Sequence, residues 1–263
     1  MRKFRTTMGL FLSLLHVFSA AQADPRKIDL LTYHNHPPFV TEQAQGLSYE
    51  LLNLLNQQAP DRFLFELRIL PRNRLNVQLA DWLQGRCAKE KQPACHEDWG
   101  VLWVNPAWGF SAGPEKRFLW IPMVKDSNAI ISRRQDPVPY NGPESLFGKR
   151  LGGIRGHTYL GIDTAVQANK ITRLDGDSER DNVLKLVKHR VDVILMPSST
   201  IHYFLTQDAE LTPLASELYI AANKHQSFIR HTMLPPGQKE LEQLFKTLQE
   251  EGAWQKIMRQ YGF

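Results

Sequence analysis

The chain has 263 residues, a formal net charge of +5 and 42% hydrophobic residues. Three of the positive charges, Arg2, Lys3 and Arg5, fall in a leader, and the remaining Lys and Arg are scattered rather than clustered. That distribution argues against a phosphate-tracking surface, so no nucleic-acid partner is expected.

Residues 1–23 read as a secretory signal peptide. Arg2, Lys3 and Arg5 form its positive start, and Met8 to Phe18 an apolar core interrupted by Ser13 and His16. Ala21-Gln22-Ala23 fits the small-x-small cleavage rule and leaves Asp24 as the first mature residue. The apolar run is too short for a membrane span, and no later stretch approaches the length needed. No cysteine sits at the cleavage site, which argues against a lipoprotein. The remainder is long enough for one large domain or two small lobes.

Lys27–Thr32 reads as a strand, followed by a loop through Tyr33, His34, His36, Pro37, Pro38 and Phe39, whose prolines forbid a helix or central strand. Ser48–Gln58 has the spacing of a helix, with Leu51, Leu52, Leu54 and Leu55 on one face. Phe63, Phe65, Leu67 and Ile69 alternate as in a strand. A second helix starts near Asn73, and Gly100–Val104 is a short apolar strand. Between them lies a polar insert holding the two cysteines, Cys87 and Cys95. In an exported chain a local disulfide is the favoured reading. A zinc site using His96 is the alternative, without a second Cys or His pair nearby to support it.

Ala129-Ile130-Ile131 reads as a strand-like crossing, and the pattern then repeats. Leu151–Arg155, Ile171–Leu174 and Val191–Met196 are predicted strands; Thr158–Ala168, Ser178–His189 and Ser198–Thr206 are predicted helices. A strand at Leu218–Ala222 precedes a long amphipathic helix that breaks near Gly252 and resumes at Trp254. Two βαβαβ units in succession imply an α/β fold of two lobes, each a mostly parallel sheet flanked by helices, with a cleft between them. Such sheets bind ligands beyond the carboxyl ends of their strands, and clefts between lobes are favoured small-molecule sites.

Within that cleft, Leu151–Asp163 reads as a strand that ends at Gly156 and turns directly into a helix. Unpaired N–H groups at a helix start suit an anion, with Thr158 offering a hydroxyl and Arg155 a charge. The bland alternative is an ordinary βα turn capped by Thr158. Trp103, Asn105, Trp108 and Phe110 follow the third strand at the expected cleft mouth, as packing or as a stacking wall. His34, His36 and His157 could converge as a metal site, or stand as separate polar loop residues; no metal is expected. No nucleophile elbow, zinc helix motif or phosphate-cradling glycine loop is present, so neither enzyme activity nor a cofactor is expected.

Four segments together resemble the bacterial periplasmic solute-binding proteins of the amino-acid-binding type, extracellular family 3. They are Pro37-Pro38-Phe39 with Gly46–Leu52, Ser145–Gly152, Arg190–Ile194, and Gly252-Ala253-Trp254 with Tyr261-Gly262. The resemblance covers nearly all of 27–263. It implies a type II periplasmic-binding fold whose lobes, 24–126 with 218–263 and 127–217, are joined by a two-strand hinge near Lys125–Asn128 and Glu217. It also implies a monomer that closes on a small solute for a transporter permease or a sensor; some relatives are periplasmic dehydratases. By position it assigns Tyr33 and His36 to the first-lobe wall, and Arg155, Gly156, His157 and Thr158 to a carboxylate cradle. The family's carboxylate-clamping Arg falls near Arg117, with Arg72 and Arg74 as other candidates in a Pro-x-x-Arg turn. The family's ammonium-holding Asp falls on Pro197, which argues against a plain α-amino acid.

Overall fold

The structure, a computed structural model, describes residues 24–42, 44–86, 97–110 and 118–263. The expected leader, Cys87, Cys95, His96 and Arg117 lie outside the described residues.

The first lobe opens with β1 (Arg26–Thr32), α1 (Leu47–Gln58), β2 (Phe63–Ile69), α2 (Arg72–Leu83) and β3 (Trp99–Val104). Strand β1 pairs in parallel with both β2 and β3, as consecutive βαβ crossovers require. All six residues of β3 are buried, which fits a central strand covered on both faces. Helix α1 turns Leu47, Leu51 and Leu55, four apart, into the core. It can start where it does because Gly46 sits at φ +104°, where an added Cβ would lie 2.9 Å from the carbonyl oxygens of Pro38 and Phe39.

Strand β4 (Leu119–Arg133) then runs 15 residues and serves both lobes. Ile121, Met123 and Val124 join the first core, while Ile130 and the pair Ala129 and Ile131 enter two separate cores of the second lobe. Pro122 lies where the register shifts, the place a sheet tolerates a missing donor. The second lobe comprises β5 (Arg150–Gly152), α3 (Ile162–Gln167), β6 (Thr172–Arg173), α4 (Glu179–Val187), β7 (Val193–Pro197), α5 (Ser198–Thr206) and β8 (Leu218–Ile220). The chain returns through β9 (Gln226–Leu234), and α6 (Lys239–Glu250) and α7 (Gly252–Gln260) cover the first core. The strand order is β2-β1-β3-β9-β4-β7-β5-β6, with β8 beside β4.

Three expectations change here. The helix expected at Thr158–Ala168 begins only at Ile162. Arg173 explains why: its guanidinium donates to the carbonyls of Ile154 (2.9 Å) and His157 (2.8 Å) and pairs with Asp163 and Asp175, pinning residues 154–159 as a loop. The return crossing is β9, later in the chain than the boundary drawn at Leu218. Leu218 instead packs in a second-lobe core while β8 pairs with β4. Strand β9 itself had no counterpart among the predicted strands, since Gln226, Arg230 and His231 break its apolar pattern.

Candidate ligand-binding cleft

The first-lobe wall is built at the carboxyl ends of β1 and β3. Tyr33, His34 and His36 leave β1 in a loop, and the 3-10 turn Pro106–Trp108 follows β3. Asn105 fixes that turn, accepting from Ala107 N at 2.9 Å and donating to Ile229 O at 2.8 Å. Both ends of its amide are therefore committed to backbone.

Arg72, the first residue of α2, reaches into this wall. Its Nη1 donates to Tyr33 Oη at 2.9 Å, Nη2 donates to the Trp108 carbonyl, and Nε donates to Asn76 Oδ1 at 2.9 Å. The guanidinium carbon lies 4.1 Å from the Phe110 ring centroid and 4.8 Å from that of Tyr33. These partners are all neutral. Among the described residues no carboxylate pairs with Arg72, so its charge is oriented but not cancelled. Arg74, two residues on, is exposed and is not part of this arrangement.

Arg230 on β9 is 1% exposed. Its Nε donates to Asp126 Oδ2 at 2.9 Å, and its guanidinium packs 4.5 Å from the Phe39 ring, 5.2 Å from Phe228 and 5.4 Å from Trp108. Asp126 in turn accepts from Ser199 Oγ at 2.8 Å and Ser199 N at 3.2 Å, at the start of α5. One ion pair thus ties both crossing strands to a second-lobe helix.

The two histidines form a chain from Arg230. Arg230 Nη1 lies 3.5 Å from His34 Nε2, His34 Nδ1 lies 3.3 Å from His36 Nε2, and His36 Nδ1 lies 2.9 Å from the Pro37 carbonyl. A guanidinium can only donate and a carbonyl can only accept. The consistent assignment is His34 and His36 both neutral and both protonated on Nδ1. Burial lowers the His34 pKa well below its usual 6.5 and brings that of His36 to about 4, with Arg230 adding to both effects. His36 also meets the second lobe, 3.2 Å from Thr200 Oγ1.

From the second lobe, His157 comes close enough for Arg72 and Arg230 to disfavour its protonation, and burial first, then these charges, brings its pKa to about 4. Its neighbours do not follow it inward. Arg155 is 71% exposed at its side chain and pairs with Asp177 at 3.0 Å, while Gly156 and Thr158 are also exposed. The helix-start cradle expected of these residues is absent because α3 starts further on and holds only six residues. Glu179, which the sequence reading did not single out, is 4% exposed at the first turn of α4, and burial raises its pKa to about 8 against the pull of Arg230. Arg230, Asp126 and Glu179 carried no sequence signal as site residues: each is a charged residue within an otherwise ordinary strand or helix.

No family model matches the chain, and no curated protein does. Solved structures do. An ancestral arginine-binding protein bound to arginine aligns over 90% of this chain and 98% of its own, with a TM-score of 0.64 at 14% identity. The GluR0 ligand-binding core in complex with L-glutamate aligns over 91% and 98%, with a TM-score of 0.63 at 12% identity. A periplasmic binding protein of an arginine transport system from Legionella pneumophila aligns over 90% and 99%, with a TM-score of 0.60 at 16% identity. Aligned with these structures over 90% or more of its length, with its described strands in one mixed sheet spanning two lobes, this chain has the type II periplasmic-binding fold.

Proposed function

We propose that this protein is an exported solute-binding protein that closes its lobes on a small anionic or zwitterionic solute and presents it to a membrane transporter or sensor. The observation that carries the reading is Arg72. Its guanidinium is positioned by Tyr33, Trp108 and Phe110 with no acidic partner among the described residues. An oriented, uncancelled guanidinium at a cleft wall is a bidentate receptor for a carboxylate.

The rest of the cleft supports the same charge sense. Arg230 is balanced by Asp126, and His34, His36 and His157 are neutral near pH 7. A solute touching both Arg72 and the second-lobe loop at His157 favours the closed state by its contacts to both lobes. Strands β4 and β9 are the hinge in this reading, the leader is removed after Ala23, and Cys87 and Cys95 form a disulfide in the exporting compartment. Solutes that bind are returned unchanged.

Thermal-shift screening of the purified protein against amino acids and organic acids is the direct test, since a solute that binds only the native state raises Tm. Acid-bearing members should raise Tm in the wild type and fail to do so in Arg72→Gln. An unchanged affinity in Arg72→Gln overturns the reading.

A further inference from the structure

A cavity of about 920 Å³ lies between the lobes. Four carboxyl side chains line it: Glu42 from the first lobe, and Glu179, Asp208 and Glu210 from the second. Among the described residues Arg180 is the one cation of the lining, and it is already committed. It donates to Asp208 and, at 2.5 Å, to Glu210. Asp208 also accepts from the backbone N of Glu210 and of Leu211, each at 3.0 Å. Arg72 does not line this cavity, so the site is separate from the acid-capturing wall.

Glu179 differs from the other three acids. It is 4% exposed at the first turn of α4, and its side chain makes no hydrogen bond or ion pair among the described residues. Its Oε2 is sealed from solvent without a partner. A buried carboxyl oxygen left unpaired costs stability, so it calls for a donor from outside the chain. Glu42, on the first-lobe side, is exposed and likewise has no ion pair among the described residues.

We propose that this cavity binds an aliphatic amine, with an ammonium group on Glu179. The uncommitted groups are two carboxyls on different lobes, which select a cation and give a diamine a second anchor. An ammonium brings N–H donors and no acceptor. Asn35 and Gln207 add amide oxygens to the same lining. A metal ion fits less well, because no three His, Cys, Asp or Glu side chains among the described residues are placed to hold one. A quaternary ammonium has no N–H to give to Glu179.

Ionisation of Glu179 is part of binding. In the empty cavity burial raises its pKa to about 8, and an adjacent ammonium favours the charged form. A bound amine therefore displaces a proton below pH 8. The groups around Glu179 do not titrate with it. Arg180 on the same helix, Arg230 on β9 and the carboxylates of Glu42, Asp208 and Glu210 hold their charges between pH 6.5 and 9. His36 from the loop after β1 has a pKa of about 4 and stays neutral, and burial keeps Tyr159 and Tyr203 protonated. Amine affinity should rise with pH up to about 8, by at most about tenfold per unit, and level off above it.

The test is calorimetric titration of the purified protein with n-butylamine, 1,4-diaminobutane, tetramethylammonium and uncharged 1,4-butanediol at pH 6.5 to 9. The two primary amines should bind, and tetramethylammonium and the diol should bind at least about tenfold more weakly. Glu179→Gln keeps the size and polarity of the side chain but removes its charge. Once shown to be folded by urea denaturation, it should lose at least about tenfold in amine affinity at pH 8.5 and flatten the pH profile. Glu42→Gln should weaken 1,4-diaminobutane more than n-butylamine. Glu240→Gln removes the same charge from an exposed pair with Arg62 on the first lobe and should leave amine affinity within about twofold. No amine binding, equal binding of tetramethylammonium or of the diol, unchanged amine affinity in Glu179→Gln, or an equal loss in Glu240→Gln overturns the proposal.

Discussion

Arg230 and Asp126 stand on adjacent antiparallel strands with side chains 1% and 2% exposed, and their 2.9 Å contact is the most deeply buried ion pair among the described residues. Removing one partner leaves an uncompensated charge in the interior, which costs ~3–5 kcal/mol. Arg230→Met should therefore lower unfolding free energy by about that amount, measured by urea denaturation. The double variant Arg230→Met with Asp126→Leu should recover part of the loss, because no charge is then left buried. The recovery is incomplete, since Ser199 N and Oγ lose their acceptor. A double variant less stable than the sum of the single changes would contradict this account.

The positions of three arginines separate binding from surface charge. Arg72→Gln removes a charge-assisted contact worth ~1.5–3 kcal/mol, so affinity for a bound acid should fall about tenfold to a hundredfold. Arg155→Ala should leave affinity within about twofold and stability within ~0.5 kcal/mol, because its exposed pair with Asp177 is a surface ion pair. Arg74→Ala should behave like Arg155→Ala. A larger loss of affinity in Arg155→Ala than in Arg72→Gln would restore the cradle reading of residues 155–158.

Histidine burial makes the fold acid-labile. His36 and His157 have folded pKa values near 4 against a usual 6.5, so between these values the unfolded chain binds protons that the folded chain refuses. Stability is therefore intact above pH 6.5 and falls as pH drops toward 4. At pH 4.5 the loss is on the order of 2 kcal/mol for each of these two groups. Urea titrations at pH 7 and 4.5 should show a smaller acid loss in His36→Asn than in the wild type.

Glu179 has the opposite slope. Its folded pKa of about 8 lies above its usual 4.5, so the folded state keeps a proton that the unfolded state releases. Its contribution is favourable at low pH and is lost progressively as pH rises from 4.5 to 8. Relative to wild type, Glu179→Gln should gain ~1.4 kcal/mol per pH unit across that window and nothing further above it. A pH-independent difference between the two proteins would show that the carboxyl is ionised in the fold.

The repeated alternation of strand and helix, and the hydrophobic spacing within each, was legible from the chain alone. Leu47, Leu51 and Leu55, Phe63 and Phe65, and the all-apolar β3 each report local burial that depends only on period. Two βαβαβ units then imply two lobes and a cleft. The same reasoning put Tyr33, His36 and Trp108 beyond strand ends, and the structure sets them after the carboxyl ends of β1 and β3, where such sheets place their ligands.

What the tertiary structure alone decided is which charges are cancelled and which are not. Arg72, Arg155 and Arg230 look alike in sequence, but the sheet brings Asp126 to Arg230, the surface brings Asp177 to Arg155, and only neutral groups meet Arg72 among the described residues. Arg173 likewise converts an expected helix start into a loop through contacts that join separate segments of the second lobe. Glu179 reads locally as a helix-start acid, a position where a carboxylate is ordinarily exposed and ionised. It becomes buried, with no partner for its Oε2 among the described residues, only once α4 packs across a cavity from His36. Period sets which face of an element is buried, whereas the charge state of a group depends on partners distant in sequence, and those are fixed only when the two lobes and their crossing strands assemble.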